Sequence, residues 1–291
     1  MSFKLKLITL KAFWFCLLIF SFEIYAQNYV LDYSFGNFSS AFAFSITSSG
    51  FIYIADDGDD SLIKLDTLGN VIKEIGGYGW GESAFDTPSD VFATPLTVIV
   101  SDKRNHRIQL FNKDLNFISE LSTRERDNSK ERFGYPFSCA LSSMGDLYVL
   151  DSENIRVLKF DLFGNFIQNF GGFDWGIFSL KNPKKLAVNS DNSVLVLDDS
   201  VLVIYDQFGN GKDKINLGNT FTSLKISSGT LILNNDDEIY MGSFSIGENI
   251  LSKIDLIGSD ERLKILSCSV FNNKLYVLTP KEIFVFNKSK E

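Results

Sequence analysis

This chain is poor in the residues that most often build catalytic and metal sites. Its 291 residues include one histidine, His106, and three cysteines. A single histidine cannot supply a zinc site of three histidines, and the sequence shows no catalytic constellation of nucleophile and base. We therefore expect a protein that is not an enzyme, and the sequence identifies neither a metal nor another cofactor.

Two apolar patterns are also missing from most of the chain. After residue 26 no segment shows the sustained 3.6-residue apolar period of an amphipathic helix, and none is long enough to cross a bilayer. The exception is at the start, where three lysines precede an apolar stretch at residues 12–20 and Ala26 follows it. This is the arrangement of a secretory signal peptide. We expect residues 1–26 to be removed and the protein to be exported, to the periplasm or outside, with no membrane span left.

Basic residues are fewer than acidic ones. The sequence has 28 lysines and arginines against 36 aspartates and glutamates, a net charge of −8. The first 26 residues hold three lysines and one glutamate, so residues 27–291 carry 25 basic and 35 acidic residues, a net charge of −10. Because phosphate binding depends on lysine and arginine, we expect no nucleic acid among the partners.

The most informative feature that is present is a phrase repeated about every 47 residues. In each copy an apolar run ends in a polar residue, a short turn follows, and a second apolar run leads into another turn. The first runs end at Asp56, Asp102, Asp151, Asp198, Asn234 and Thr279, in steps of 46, 49, 47, 36 and 45 residues. A fixed period near 45 residues indicates a repeat architecture in which each copy is one supersecondary unit.

The repeat unit has the pattern of four short strands. Its runs are apolar on consecutive residues, as in Phe51–Ile54 and Leu147–Leu150, which indicates strands covered on both faces. Four-stranded antiparallel sheets that pack face to face in a ring form a β-propeller. In the third repeat we predict strands near residues 137–142, 147–151, 155–161 and 166–171.

Six repeats are present, but the sixth ends after three strands. A lone strand at residues 29–35 precedes the first repeat. We predict that it supplies the missing fourth strand, because that pairing covers two edges otherwise prone to aggregation. The predicted fold is all-β: a six-bladed β-propeller of four-stranded antiparallel blades, formed by residues 27–291 as one monomeric domain. For the fifth repeat two interpretations stay open. Either the fourth strand covers residues 249–255, or residues 255–259 form the turn that comes before a later fourth strand.

One copy of the phrase resembles a known repeat. Asp102-Lys-Arg-Asn-His-Arg-Ile-Gln-Leu-Phe111 is similar to the NHL repeat, whose core has Asp, two variable residues, Asn-His-Arg-Ile-Gln and an apolar residue before Phe. Residues 151–157 keep the Asp, Asn and Arg of that core. The resemblance implies a six-bladed propeller that usually binds a partner, without implying one activity. His106 occupies the histidine position of the repeat, so we interpret it as structural.

A duplicated aromatic loop is the strongest candidate for a binding site. Residues 76–81 match residues 171–176 with an offset of 95, which equals two repeats. The aromatic positions are Tyr78, Trp80, Phe173 and Trp175, and they include the only two tryptophans after residue 26. Exposed tryptophan and tyrosine are favoured in binding sites, but such side chains could instead fill gaps between blades. Both interpretations stay open.

Basic residues are expected near these loops. In a propeller, the connections from a fourth strand to the next first strand and from a second to a third strand share one face, here called the top face. Arg104, Arg124 and Arg126 fall on such connections, and we add them to the candidate ligand-binding residues. The leading hypothesis is an exported, non-catalytic binding protein or scaffold that recognises a protein, a peptide or a glycan on its top face.

The alternative hypothesis is a metal-dependent hydrolase that resembles the calcium-dependent lactonases, with its site in the central channel. Those enzymes hold the metal with Glu, Asn and Asp side chains. In the predicted first strands Asp90 is the nearest carboxylate, and it stands alone. Cys139 and Cys268 fall on first strands of opposite repeats, farther apart than the roughly 7 Å between Cα atoms that a disulfide tolerates. We therefore expect two buried free thiols.

Overall fold

The structure is a computed structural model and describes residues 27–227, 229–245, 248–249, 251–259 and 262–289. These residues form strands and one short 3-10 helix, Gly176–Phe178. In this part of the chain no helix has the length and apolarity that a membrane span requires. The predicted signal peptide, residues 1–26, lies outside the described residues.

Four sheets share one plan, with four antiparallel strands in chain order. They follow a first strand, β1 (Gln27–Phe35). The first sheet contains β2 (Ala41–Ile46), β3 (Ile52–Asp56), β4 (Ser61–Leu65) and β5 (Val71–Gly76). The second contains β6 (Pro88–Ala93), β7 (Thr97–Asp102), β8 (Arg107–Asn112) and β9 (Phe117–Ser122). The third contains β10 (Pro136–Leu141), β11 (Leu147–Asp151), β12 (Arg156–Phe160) and β13 (Phe166–Phe170), and the fourth β14 (Pro183–Val188), β15 (Val194–Asp198), β16 (Val201–Tyr205) and β17 (Gly211–Asn216).

The remaining strands form one larger sheet of nine strands, which includes β1. Its other members are β18 (Ser223–Ser227), β19 (Thr230–Asn234), β20 (Ile239–Ser245), β21 (Glu248–Asn249), β22 (Ser252–Ile257), β23 (Ser267–Phe271), β24 (Lys274–Leu278) and β25 (Ile283–Lys288). The order is β18-β19-β20-β22-β1-β25-β24-β23, with β21 beside β20. Strand β22 covers residues 255–257, so the interpretation that placed a turn there is wrong.

Strand β1 joins the fifth and sixth repeats. It pairs antiparallel with β25, from Tyr29 opposite Lys288 to Phe35 opposite Ile283, which confirms the predicted partner of the N-terminal strand. Its first residues also pair in parallel with β22, from Gln27 to Val30. The fifth and sixth repeats therefore share one sheet, and the prediction of six separate blades is wrong for these two repeats. The outer edge of β22 would otherwise leave backbone N–H and C=O groups unpaired, and β1 satisfies them.

The first strands of the six repeats surround a central channel. Strands β2, β6, β10, β14, β18 and β23 contact one another in a closed circle. Apolar side chains fill the space between neighbouring sheets, as where Tyr53 of β3 packs with Phe85, Val91 and Phe111. This packing explains why the strands are apolar on consecutive residues. The predicted strands of the third repeat match β10 to β13 within one or two residues.

Candidate ligand-binding site

The top face is built from two kinds of connection that hydrogen-bond each other. The N–H of Lys103, between β7 and β8, donates to the carbonyl of Thr87 before β6, at 3.2 Å. The third repeat has the same arrangement, with the N–H of Glu153 donating to the carbonyl of Gly134 at 3.3 Å. In the fourth repeat the connection after β17 is the donor, from the N–H of Leu217 to the carbonyl of Ser200 at 2.8 Å. The predicted loops therefore do share one face with the turns between second and third strands.

The residues of the NHL-like phrase hold the first aromatic loop, residues 76–85, in place. The Nε of Arg107 donates to Asp102 Oδ2 at 2.8 Å, and its Nη1 donates to Glu120 Oε2 at 2.6 Å. The same guanidinium donates to three loop carbonyls, those of Trp80 at 2.8 Å and of Gly81 and Ala84 at 2.9 Å. The amide of Asn105 donates to the carbonyl of Gly79 at 2.8 Å.

Asp102 anchors this network from inside the protein. Its side chain is fully buried and accepts from the N–H of Asp86 at 2.8 Å and from Asn105 Nδ2 at 2.9 Å, besides Arg107. Burial raises the pKa of Asp102, against the lowering effect of these donors. Asp151 and Arg156 repeat the pattern in the third repeat, where Arg156 Nη2 donates to the carbonyl of Arg132 at 2.6 Å. The repeated polar phrase therefore positions the loops.

The aromatic side chains of the two loops differ in exposure. Tyr78 is 74% exposed, Trp80 67% and Phe173 96%, whereas Trp175 is 37% exposed and its Nε1 donates to the carbonyl of Gly209 at 2.9 Å. The residue that fills the gap between sheets is Phe85 in the first loop and Leu180 in the second, residues 171–180. Within the described residues no ring contact joins the two loops.

The three candidate arginines have different surroundings. Arg104 is exposed and lies 3.8 Å from a carboxylate oxygen of Asp86. Arg124 is exposed as well. Arg126 is partly buried: its Nη2 donates to the carbonyl of Gly164 at 2.7 Å, and its guanidinium lies 5.6 Å from the ring centre of Phe160. Arg126 therefore joins two connections of the fold, whereas Arg104 and Arg124 face solvent.

His106 is part of the contact between the second and third repeats. Its Nδ1 accepts a hydrogen bond from the N–H of Tyr135 at 3.1 Å, and the two rings lie 4.2 Å apart. Burial and the nearby charge of Arg124 lower the pKa of His106. A neutral ring with one nitrogen already accepting suits a structural role, as the sequence indicated.

The central channel contains a charged cluster that sequence reasoning missed. Asp90 Oδ2 accepts from Ser138 Oγ at 2.6 Å and from the N–H of Cys139 at 3.2 Å, and its Oδ1 pairs with Lys185 Nζ. Lys225 lies near this pair. Asp90 has no second carboxylate beside it among these contacts, but it is bonded to a lysine and a serine that were not predicted from the sequence. The position of these residues within their strands could have revealed the cluster. Each is the third residue of a first strand: Asp90, Ser138, Lys185 and Lys225.

Lys185 separates two cavities of the channel, since it lines both. The cavity at the mouth has a volume of about 280 Å³ and is lined by Phe42, Phe137 and Lys264 among others. The inner cavity has a volume of about 230 Å³. Within the described residues no three His, Cys, Asp or Glu side chains gather as a metal site would require. The lactonase-like arrangement of carboxylates is thus not found in the part of the channel that the structure describes.

The two cysteines are free and buried, as expected from their places on β10 and β23. Burial raises the pKa of Cys139 to about 12, with a further contribution from the charge of Asp90, and raises the pKa of Cys268. Because the thiolate is the reactive form, we predict slow reaction of native protein with a thiol reagent at pH 8. Protein that is denatured without a reductant should show two thiols per chain that react with the reagent in the same assay. Rapid labelling of native protein would contradict this assignment.

Comparison with curated proteins finds partial similarity. No family model matches the chain. Similar proteins include Protein brain tumor of Drosophila melanogaster and B-box type zinc finger protein ncl-1 of Caenorhabditis elegans, each 28% identical, over 142 and 141 residues. The aligned part is 47% of this chain but only 13% and 16% of those proteins. The matched segment thus spans about one seventh of their length.

Solved structures are similar over most of the chain. A streptogramin B lyase has 12% identity and a TM-score of 0.63, covering 88% of this chain and 97% of its own. The virginiamycin B lyase of Staphylococcus aureus has 10% identity and a TM-score of 0.61, covering 86% and 96%. These neighbours are enzymes, so the expectation of a non-enzyme is contradicted: the scarcity of histidine excludes no catalytic role. Identities this low show the fold alone, and the chain is a β-propeller.

Proposed function

We propose that this protein is a binding propeller that recognises a protein, a peptide or a glycan through the exposed aromatic side chains of its top-face loops. The observation that carries the proposal is the first aromatic loop, in which Tyr78 and Trp80 face solvent while the backbone beneath them is hydrogen-bonded to buried groups. Phe173 of the second loop extends this set, and Arg104 and Arg124 add positive charge on the same face.

The backbone of the first aromatic loop is fixed at several points. Besides the contacts of Arg107 and Asn105, the N–H of Gly77 donates to the carbonyl of Asp60 at 2.8 Å. The N–H of Gly79 donates to the carbonyl of Phe85, and that of Phe85 to the carbonyl of Gly77, both at 3.0 Å. A loop held in this way loses little conformational entropy on binding, which favours affinity.

The fixed backbone matters because of what it exposes. An exposed tryptophan offers a large, amphipathic surface with few rotatable bonds, and such residues dominate the energy of many interfaces. Phe85 of the same loop already packs in the core, so the packing of the fold does not explain why Trp80 is exposed. Recognition of a ligand gives the exposed side chain a role.

The proposal also covers the number of blades, the type of repeat and the way in which the propeller is closed. We take the circle of first strands as a six-bladed, NHL-type propeller that β1 closes by pairing with β25. Support comes from the phrase at residues 102–111 and from the pairing of β1. Export, proposed on the N-terminal sequence alone, would present the top face to partners outside the cytoplasm.

The proposal can be tested even though the ligand is unidentified. Residues 27–291 would be screened against a displayed library of random peptides and an array of oligosaccharides. For ligands selected in this way, we predict that Trp80→Ala weakens binding about thirtyfold, equivalent to roughly 2 kcal/mol. Binding would be measured by interferometry on immobilised protein.

A matched variant controls for general loss of apolar surface. Phe163 is an even more exposed aromatic residue, but it lies in the turn between β12 and β13, outside the two aromatic loops. Phe163→Ala should bind the selected ligands as the unchanged protein does. Equal binding by Trp80→Ala, or failure to select any ligand from either library, would contradict the proposed function.

A further inference from the structure

Lys225 is a channel-facing lysine whose charge is not neutralised by a contact. Its ammonium makes no hydrogen bond or ion pair with any residue that the structure describes. The neighbouring charged groups differ, because Lys185 pairs with Asp90, and Asp90 also accepts from Ser138 and Cys139. Lys225 is only partly buried, since its side chain borders the inner cavity of the channel.

The inner cavity has a wall of mixed polar and apolar character. Its volume of about 230 Å³ corresponds to roughly eight water molecules. Side chains such as Ile46, Phe92 and Val188 line it, with the hydroxyls of Ser45, Ser227 and Ser269. Apolar side chains and polar groups that converge on one cavity are typical of a small-molecule site.

The charges around this cavity do not balance. One charged or titratable group faces it from each of four first strands: Asp90 from β6, Cys139 from β10, Lys185 from β14 and Lys225 from β18. Cys139 stays a neutral thiol, because burial raises its pKa to about 12. Two ammonium groups therefore face one carboxylate. Burial, and after it the charge of Lys185, lowers the pKa of Lys225 to about 8, as expected for a cation short of a counter-ion.

We infer that the inner cavity binds a small organic carboxylate, whose oxygens accept hydrogen bonds from Lys225 Nζ and whose short hydrocarbon part packs on apolar side chains such as Ile46, Phe92 and Val188. An anion supplies the missing counter-charge, and a metal cation would instead meet an excess of positive charge. These apolar side chains favour an organic anion over inorganic phosphate, which would leave them without contacts. This site is separate from the loops of the proposed function.

Protonation should be coupled to binding at this site. A bound carboxylate favours the charged form of Lys225 and therefore raises the pKa of Lys225. Near pH 8 part of the free protein carries a neutral Lys225, so binding there should take up a fraction of a proton. Affinity should be constant well below pH 8 and fall as the pH rises above it.

The test is titration calorimetry of residues 27–291 with butyrate at pH 8, in two buffers of different ionisation enthalpy. We expect binding with proton uptake at pH 8, and less uptake at pH 6.5, where more of the free protein already carries a charged Lys225. Inorganic phosphate should bind more weakly than butyrate. No heat at millimolar butyrate, or binding without proton uptake at pH 8, would overturn the inference, and stronger binding of phosphate would overturn the organic ligand class.

Two substitutions make the assignment specific. Lys225→Met removes the charge while keeping the chain length, and we expect it to weaken butyrate binding by at least about tenfold and to abolish proton uptake. Lys264→Met removes a lysine that lines the cavity at the mouth but not the inner cavity, and it should change neither quantity. Equal loss in both variants would refute a role for Lys225. Should Lys225→Met fail to fold, Lys225→Gln and the proton uptake of the unchanged protein decide the question.

Discussion

Replacing Arg107 with alanine is expected to lower the free energy of unfolding by about 3–5 kcal/mol, because it leaves the buried carboxylate of Asp102 without its cation. Both side chains are almost fully buried, and Arg107 also donates to three carbonyls of the first aromatic loop. Those carbonyls would lose their donors in the same substitution. Urea unfolding followed by circular dichroism measures the change.

A second arginine provides the control for this experiment. Arg104 lies in the same turn between β7 and β8 but is exposed, and its distance to Asp86 is 3.8 Å. Exposed pairs of this kind contribute little, so Arg104→Ala should change the stability by no more than about 0.5 kcal/mol. If Arg107→Ala unfolds at the same urea concentration as Arg104→Ala, the phrase does not anchor the loop.

Deleting residues 27–35 is expected to destabilise the protein more than any single substitution, because β1 pairs with both β22 and β25. The cut exposes two strand edges and removes Tyr29 from the core between the fifth and sixth repeats. A milder variant, Tyr29→Ala, should lower the free energy of unfolding by about 3–5 kcal/mol. Calorimetric melting of both variants measures the effect.

The neighbouring residue separates the loss of packing from a general effect on the strand. Val30 is adjacent to Tyr29 in β1, pairs with the same two strands and is partly exposed. Val30→Ala should melt within a few degrees of the unchanged protein. A truncated protein that melts at the same temperature as the full domain would show that β1 does not close the sheet.

Much of this architecture could be predicted from the sequence, because turns and apolar runs repeat in a fixed phase. The strands of the third repeat and the partner of the N-terminal strand are set by local patterns of this kind. The parallel pairing of β1 with β22 could not be predicted in the same way. It depends on where two strands far apart in sequence meet, and neither Gln27 nor Ile254 carries a local sign of that contact.

The sites were predictable to different degrees. Repetition identified the aromatic loops, but it could not distinguish Trp80, which is exposed, from Trp175, whose indole bonds to the next repeat. The channel cluster was missed because Lys185 and Asp90 are 95 residues apart in sequence. Only their common register on first strands brings them together. The contacts of Arg126 with the carbonyl of Gly164 and the ring of Phe160 could not be predicted either, since they join parts of the chain that are far apart in sequence.

The proposed binding role requires that the fold hold Trp80 out to solvent on a fixed loop, where it is free to bind a ligand. The most direct measurement compares the unfolding free energies of Trp80→Ala and Phe85→Ala in urea. We predict a change of no more than about 0.5 kcal/mol for Trp80→Ala and a loss of about 3–5 kcal/mol for Phe85→Ala, whose side chain is fully buried. A loss for Trp80→Ala as large as that for Phe85→Ala would make Trp80 a core residue and contradict the proposed role.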